Sequence, residues 1–338
     1  MTFVHNAWYM VGWADEIDGR PLGRTILGAP TVIFRDGSGA IGAMQDVCPH
    51  RAVALSTGSV AGEHIRCPYH GLEFDTNGVC RHNPHVKGPP NRIKVAITYS
   101  VVERYGMVWL WPGDPKLANP ASIPDYGWFA DTERFTTGKG YLHIDADYRL
   151  VIDNLMDLAH AEYIHPTTVG SAGANASQIS KVVRTPTSIS VNTIWPNIPP
   201  NPINRGIWPD SELIDSYIDM IWKAPSNLLM DKHFTRPGDP LERGLHTPSA
   251  HILTPETERS THYFWAFARN FKKRDEEMTR TIVDVVRRAF LTEDKPVIES
   301  AQRMIEATGA KLRNFSIGDN GSAQVRRELE RLAKLERS

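Results

Sequence analysis

Residues 48–71 read CPHRAVALSTGSVAGEHIRCPYHG. The chain has three cysteines, and two of them stand in this stretch beside histidines: Cys48-x-His50, then Cys67-x-x-His70, with sixteen residues between His50 and Cys67. Each cysteine directly precedes a proline, which fixes φ and stiffens the backbone carrying the side chains. Gly71 lets backbone pass close to a bound group. Two similar loops thus each offer one sulfur and one nitrogen ligand. Such a set suits zinc, or a two-iron cluster in which two histidines replace two cysteines on one iron. Zinc sites favour cysteines paired with cysteines and histidines with histidines, a spacing this stretch lacks. Cys80 lies outside the pattern. His82 and His85 are close to it, but a lone cysteine reads as a small buried hydrophobe.

The composition bounds what the rest can be. At 338 residues the chain is long enough for two domains with sizeable cores. Lys+Arg number 38 against 39 Asp+Glu, with no basic block, so a nucleic-acid partner is not expected. No apolar run approaches the ~18 residues of a membrane span, and the opening MTFVHNAWYM lacks the charged and apolar regions of a secretory signal. Three cysteines make no disulfide framework, so a reducing cytoplasm is the expected compartment.

The expected fold class is α+β: an all-β domain over 1–115, then a domain over 116–338 combining an antiparallel sheet with helices. The first part is dense in short β-type runs, at 30–34 (PTVIF), 92–99 (RIKVAITY) and 107–111 (MVWLW), punctuated by Gly, Asp and Asn. The stretch 112–127, with Pro112, Pro115, Pro120 and Pro124, reads as a linker. Farther on, 262–268 (HYFWAFA) reads as a buried strand. From Asp275 to Leu291 the apolar residues Met278, Ile282, Val285, Val286, Ala289 and Phe290 fall on one helical face. Val325, Leu329, Leu332 and Ala333 repeat that pattern in a charged C-terminal helix. The segment 195–210, with five prolines, reads as a loop.

A second motif lies at 153–166, DNLMDLAHAEYIHP. Asn154, Asp157 and His160 are three apart and would line one helical face. His165 follows His160 by five, about 500° around a straight helix, so the helix must end between them for both to meet one ion. Pro166 supports that, because a residue before proline is pushed out of the α region. Two imidazoles and a carboxylate make the facial set of non-haem Fe(II) oxygenases; the alternative is a pair of structural histidines.

The first motif resembles a Rieske centre. With both motifs in this order, the chain is similar over its length to the Rieske non-haem iron oxygenase α subunits. Within them it is similar to the demethylating monooxygenases of aromatic acids, the vanillate and dicamba O-demethylase group. The stretches carrying this are NAWYMVGWADEIDGRPLGRTI, DYRLVIDNLMDLAHAEYIH, HILTPETE and YFWAFARNF. The resemblance implies a [2Fe–2S] cluster on Cys48, His50, Cys67 and His70, and a mononuclear Fe(II) on His160, His165 and a third ligand from LTEDKPVIE. There Asp294 matches the family position better than Glu293. It also implies a head-to-tail homotrimer in which Asp157 bridges an iron-ligating histidine of its own chain and His70 of the next. The alternative role for Asp157 is to orient His160 within its own chain. Asn154 would be a hydrogen-bonding neighbour of the iron. His251, in HILTPETE, matches a substrate-contacting position of the dicamba O-demethylases, and 224–234 (APSNLLMDKHF) would also line the pocket.

The implied reaction is attack on a C–H bond by O2 activated at the iron. On a methoxylated aromatic acid this gives a hemiacetal that collapses to a phenol and formaldehyde. The same iron site also serves hydroxylases and N-demethylases, and the residues leave these open. Readings from other classes are a Rieske electron carrier without catalysis and a scaffold with structural zinc. The chain shows no dinucleotide fingerprint and no plant-type cysteine run. NADH electrons would therefore arrive through a separate reductase carrying flavin and iron–sulfur, or a ferredoxin.

Overall fold

The computed structural model describes residues 3–88, 90, 92–207 and 213–337. They form two compact units. One runs to Ile123 and includes Thr254–Glu258; the other takes Pro124–Leu253 and Arg259 onward.

The first unit is built of three small sheets. β1 (Tyr9–Trp13) pairs with the tenth strand, β10 (Met107–Trp111), which pairs with β9 (Ser100–Arg104); β2 (Leu22–Ile26), β3 (Ala29–Arg35) and β4 (Ile41–Gln45) form a meander. The third sheet is β5 (Ser59–Ala61), β6 (His64–Arg66), β7 (Glu73–Phe74) and β8 (Cys80–His82) in sequential order. Strands β1 and β10 are buried at every position, as their unbroken apolar runs require. The run 92–99 is not a strand. Its first half bonds to the turn before β8 (Val95 N to Gly78 O, 2.9 Å) and its second half to β4 (Gln45 N to Ile97 O, 2.9 Å). It divides its backbone between two sheets, which an alternating pattern does not reveal.

The proline-rich segment is folded, not a free linker. Two 3₁₀ turns, Pro115–Leu117 and Pro120–Ser122, are capped by Asp114 and Asn119. Each cap contributes on the order of 1 kcal/mol. Trp8 Nε1 donates to Asn119 O at 2.9 Å, so this segment closes the first unit, which continues to Ile123 instead of ending at 115.

The second unit opens with a short α1 (Gly127–Ala130) and is organised by an eight-stranded sheet. Its strands are β11 (Thr136–Ile144), β12 (Ile179–Arg184), β13 (Ile189–Ile198), β14 (Ile214–Lys223), β15 (Asn227–Thr235), β16 (Leu245–His246), β17 (Ser249–Thr257) and β18 (Ser260–Arg269). The order is β11-β18-β17-β15-β14-β13-β12, with β16 on β15. The predicted strand 262–268 is the buried centre of β18. The predicted loop 195–210 is strand to Ile198 and helix α4 (Pro202–Ile207); its last residues lie outside those described. Trp195 and Ile198 are both buried despite their odd spacing, because the strand register shifts between them as the strand passes Pro196.

Helices α2 (Tyr148–Met156), α3 (Ala161–Ile164), α5 (Glu276–Arg288), α6 (Lys295–Thr308) and α7 (Ile317–Leu335) complete the unit. Asp275 caps α5 and Ser316 caps α7 through a capping box with Asp319. Val325, Leu329 and Ala333 are buried on α7, as their spacing predicts. Among the described residues no helix is long and apolar enough to cross a membrane.

Candidate functional site

The two cysteine loops have the same backbone. Cys48 N donates to Val53 O and Cys67 N to Leu72 O, both at 2.8 Å; Ala52 N returns to Cys48 O at 2.9 Å and Gly71 N to Cys67 O at 3.1 Å. Ala52 (φ 55°) and Gly71 (φ 70°) occupy corresponding left-handed positions. Glycine meets this at no steric cost, and alanine bears the strain. The loops bring Cys48 and Cys67 side by side within the core of β5–β8, both buried. Burial pushes up the Cys48 thiol, and its hydrogen bond with Cys67 adds to that. The rings of His50 and His70 meet with centroids 4.4 Å apart. His70 Nδ1 is buried without a hydrogen-bond partner, a cost a native site offsets with a ligand. Desolvation, then His50, His85 and Arg51, hold His70 below its ordinary pKa and favour the neutral ring that ligation needs. His85 Nε2 lies 2.9 Å from His70 O and braces the loop. A pair of neighbouring sulfurs and a pair of neighbouring imidazoles, one with a bare nitrogen, on two matching loops fit a [2Fe–2S] group with mixed ligands. Cys80 is buried and its thiol donates to His82 O at 3.3 Å.

In the second unit the expected continuous helix through Asn154, Asp157 and His160 is broken. α2 ends at Met156 and Asp157 is extended (φ −114°, ψ 99°). It caps a 3₁₀ turn, Leu158–His160, by accepting from Ala159 N at 3.0 Å. His160 and His165 then flank α3, with Pro166 directly after it. The break lets the two rings converge, at 5.4 Å between centroids. Asp294 joins them from far along the chain. Its carboxylate lies 3.4 Å from His160 Nε2 and 3.2 Å from His165 Nε2. All three ligand atoms lie within 4.8 Å of one another. Asn154 Nδ2 donates to Asp294 Oδ1 at 2.9 Å.

Asp294 reaches this point from a π-helical segment, Ala289–Asp294, between α5 and α6. The wider turn makes its end residues, Glu293 and Asp294, both point inward. Glu293 is not in the three-ligand group. It takes the other nitrogen of His165, Nδ1, at 2.6 Å and also accepts from Thr168 Oγ1 at 2.5 Å. His160 Nδ1 lies 2.6 Å from the backbone oxygen of Asp157. Each ring thus has its far nitrogen tied and its Nε2 turned to the common point, as metal-ligating histidines are arranged. Burial lowers the pKa of His160, whereas for His165 the carboxylates of Asp294 and Glu293 outweigh burial and raise it. The field at the common point favours a positive charge, and this donor set suits Fe(II). The roles of Glu293 and of the Asp157 backbone were not foreseen from sequence; a second acid beside Asp294 was the only signal.

The Asp157 carboxylate does not reach His160 within the chain. One oxygen caps the 3₁₀ turn; the other accepts from Ser316 Oγ at 2.5 Å. Gly318 packs directly on it, and a Cβ there would lie 2.6 Å from the Asp157 Cα.

Beside the metal group lies a largely apolar cavity of about 200 Å³. Leu158, Ala161 and Phe290, from the segments that carry the three ligands, are among its lining. His251 lines it too, buried, with Nδ1 2.6 Å from Tyr263 Oη and Nε2 3.0 Å from Ser249 Oγ. Burial pushes its pKa down to about 4. Of the expected pocket stretch 224–234, Met230, Lys232 and Phe234 face the cavity. Lys232 Nζ sits 4.7 Å over the Phe234 ring, and burial lowers its pKa to about 8. No carboxylate pairs with it among the described residues.

Two thiol–imidazole loops in a β domain, then two imidazoles and a carboxylate beside an apolar cavity, define a Rieske-type non-haem oxygenase. Comparison agrees and narrows the class. Residues 7–101 match the Rieske [2Fe-2S] domain, and residues 144–335 match the vanillate O-demethylase oxygenase C-terminal domain. The oxygenase component of dicamba O-demethylase from Stenotrophomonas maltophilia is 39% identical over 99% of both chains. That of chloroacetanilide N-alkylformylase from Rhizorhabdus wittichii is 38% identical over 99% of this chain and 97% of its own. A crystal structure of dicamba monooxygenase with non-haem iron and dicamba covers 99% of both chains at 37% identity, with a TM-score of 0.85. The chain belongs to this family: it is the oxygenase component of a multi-component Rieske monooxygenase system.

Proposed function

We propose that this chain O-demethylates a methoxylated aromatic acid. The balance is ArOCH3 + O2 + 2 electrons + 2 protons giving ArOH, formaldehyde and water. Cys48, His50, Cys67 and His70 hold the [2Fe–2S] cluster, which relays single electrons. His160, His165 and Asp294 hold the mononuclear iron, which when bound supplies oxygen activation.

The observation that carries this reading is the cavity. It is largely apolar and lined by two cations: Arg269, whose guanidinium donates to Phe271 O, Asp275 O and Thr279, and Lys232, which has no such partners among the described residues; its wall includes Leu158, Ala161 and Phe290 from the segments that carry the metal ligands. An aromatic ring fills the apolar part, its acid group pairs with Lys232, and its methoxy carbon is left toward the metal ligands. An unpaired half-buried ammonium is costly, and an anionic substrate offsets that cost where a neutral one does not. His251, held neutral by burial, offers Nε2 and Ser249 as a hydrogen-bonding pair for a polar substituent. The apolar walls exclude water, which limits stray reduction of oxygen.

Electrons come from NADH through a separate reductase or ferredoxin in the cytoplasm. The oxygenase works as a head-to-tail homotrimer, with Asp157 of one chain accepting from His70 of the next. Supporting this, His50 and Tyr69 are exposed on the cysteine loops, and Phe315 is exposed next to Ser316, which holds the Asp157 carboxylate. Both Asp157 oxygens already accept one bond, and each retains a second lone pair.

The test is formaldehyde release from methoxybenzoates with a matching reductase. The reading requires that methyl esters of the same acids, which lack the charge, react far less well. Equal kcat/KM for acid and ester, or product without formaldehyde, would point instead to a hydroxylase or another dealkylase.

A further inference from the structure

We propose that Asp231, His233 and His246 form a second divalent-metal site, of zinc-binding character, on the face of the large sheet opposite the cavity. The strand alternation sets the placement. Met230, Lys232 and Phe234 turn into the cavity, so Asp231 and His233 between them turn to the other face. β16 pairs with β15 in a register that puts His246 directly opposite His233. The two imidazole rings stack with centroids 4.1 Å apart and 5° between planes. Asp231 Oδ1 lies 2.6 Å from His246 Nε2 and 3.4 Å from His233 Nε2. One oxygen and two nitrogens thus meet within 4.8 Å of one another. All three residues are half-buried, leaving room for water at the remaining positions.

A second observation comes from the neighbouring strand. Asp219 on β14 stands directly across from Asp231. Opposed like charges on adjacent strands are unfavourable. No Lys or Arg pairs with either carboxylate among the described residues. A divalent cation at Asp231 neutralises the pair and gains a fourth oxygen within a side chain's reach. Two imidazoles with carboxylate suit zinc, while iron(II) stands low in the affinity order for such donors. Zinc is therefore the ion with which this site is tested, in an enzyme whose His160, His165 and Asp294 already hold iron. Bound there, the ion ties the two-residue strand β16 to β15, which carries Lys232 and Phe234 on its other face.

The experiment uses untagged enzyme with both iron centres loaded, titrated with zinc ions alone. Equilibrium dialysis should show zinc bound at about one per chain, and thermal melting should move upward with zinc. His233→Gln and His246→Gln, each on its own, should weaken binding on the order of a hundredfold and remove the thermal shift, while the Rieske absorbance is unchanged. A zinc-edge anomalous peak between Asp231 and the two rings in soaked wild-type crystals reports the same site without any mutation. No bound zinc in wild type, variants that bind as tightly as wild type, or an anomalous peak only elsewhere would each overturn the proposal.

Discussion

Asn154 donates a 2.9 Å hydrogen bond to Oδ1 of Asp294, joining residues 140 apart in sequence. It comes from the last full turn of α2 and meets a carboxylate delivered by a π-helical turn. The bond fixes which oxygen of Asp294 faces His165. Replacing Asn154 with Ala should therefore weaken iron retention roughly 10–100-fold, the usual effect of losing an outer partner of a metal ligand. Dialysis against a mild chelator measures it. The cluster EPR signal should not change; a loss of both metals together would mean general unfolding.

Glu293 and Asp294 are adjacent acids with different tasks. Asp294→Ala should abolish activity. Glu293→Gln keeps a group within reach of His165 Nδ1 but weakens the charge-assisted bond. It should retain iron at reduced affinity and lose activity only in part. Identical behaviour of the two variants would contradict this division.

The Asp157 carboxylate is held by Ser316 and roofed by Gly318. Asp157→Asn should leave both metal sites filled and slow cluster reoxidation steeply in a single turnover with substrate and O2. The amide accepts more weakly, and its NH2 confronts ring N–H donors. Ser316→Ala keeps the charge and should slow that step much less. Gly318→Ala forces a Cβ into Asp157 and should cost about 1–3 kcal/mol of stability as well. Unchanged reoxidation in Asp157→Asn would take the residue off the electron path.

Two groups in the cavity set opposite pH limits. Lys232, with a pKa of about 8, loses its charge as pH rises through that value, so KM for an acidic substrate should climb above pH 8. Lys232→Met should raise KM at neutral pH and flatten that limb. His251 is lowered to about 4 against about 6.5 when unfolded. The unfolded chain then binds the extra proton between these values. Its contribution is full above pH 6.5 and is lost as pH falls toward 4, on the order of 3 kcal/mol in all. Denaturant melts of wild type and His251→Gln across that window check the sign.

What was legible in sequence was what is local. Cys48, His50, Cys67 and His70 sit on two short loops whose proline and glycine signals announce their shape. The amphipathic helices α5 and α7 followed from periodicity. The break at Asp157 was not legible, because Asn154, Asp157 and His160 keep helical spacing although the backbone leaves the helix. Asp294 came from family resemblance alone: its partners are set by tertiary packing, and a π-helical turn has no sequence pattern. Strand β13 was hidden by Pro196, and 92–99 mimicked a strand while serving two sheets.

The account rests on two separate metal centres in one chain, and the iron-to-sulfide ratio of Asp294→Ala tests it most directly. Wild type should hold about three irons to two acid-labile sulfides. The variant should hold about two to two, with the Rieske EPR signal intact. A variant that keeps the third iron, or that loses sulfide along with it, would contradict the assignment.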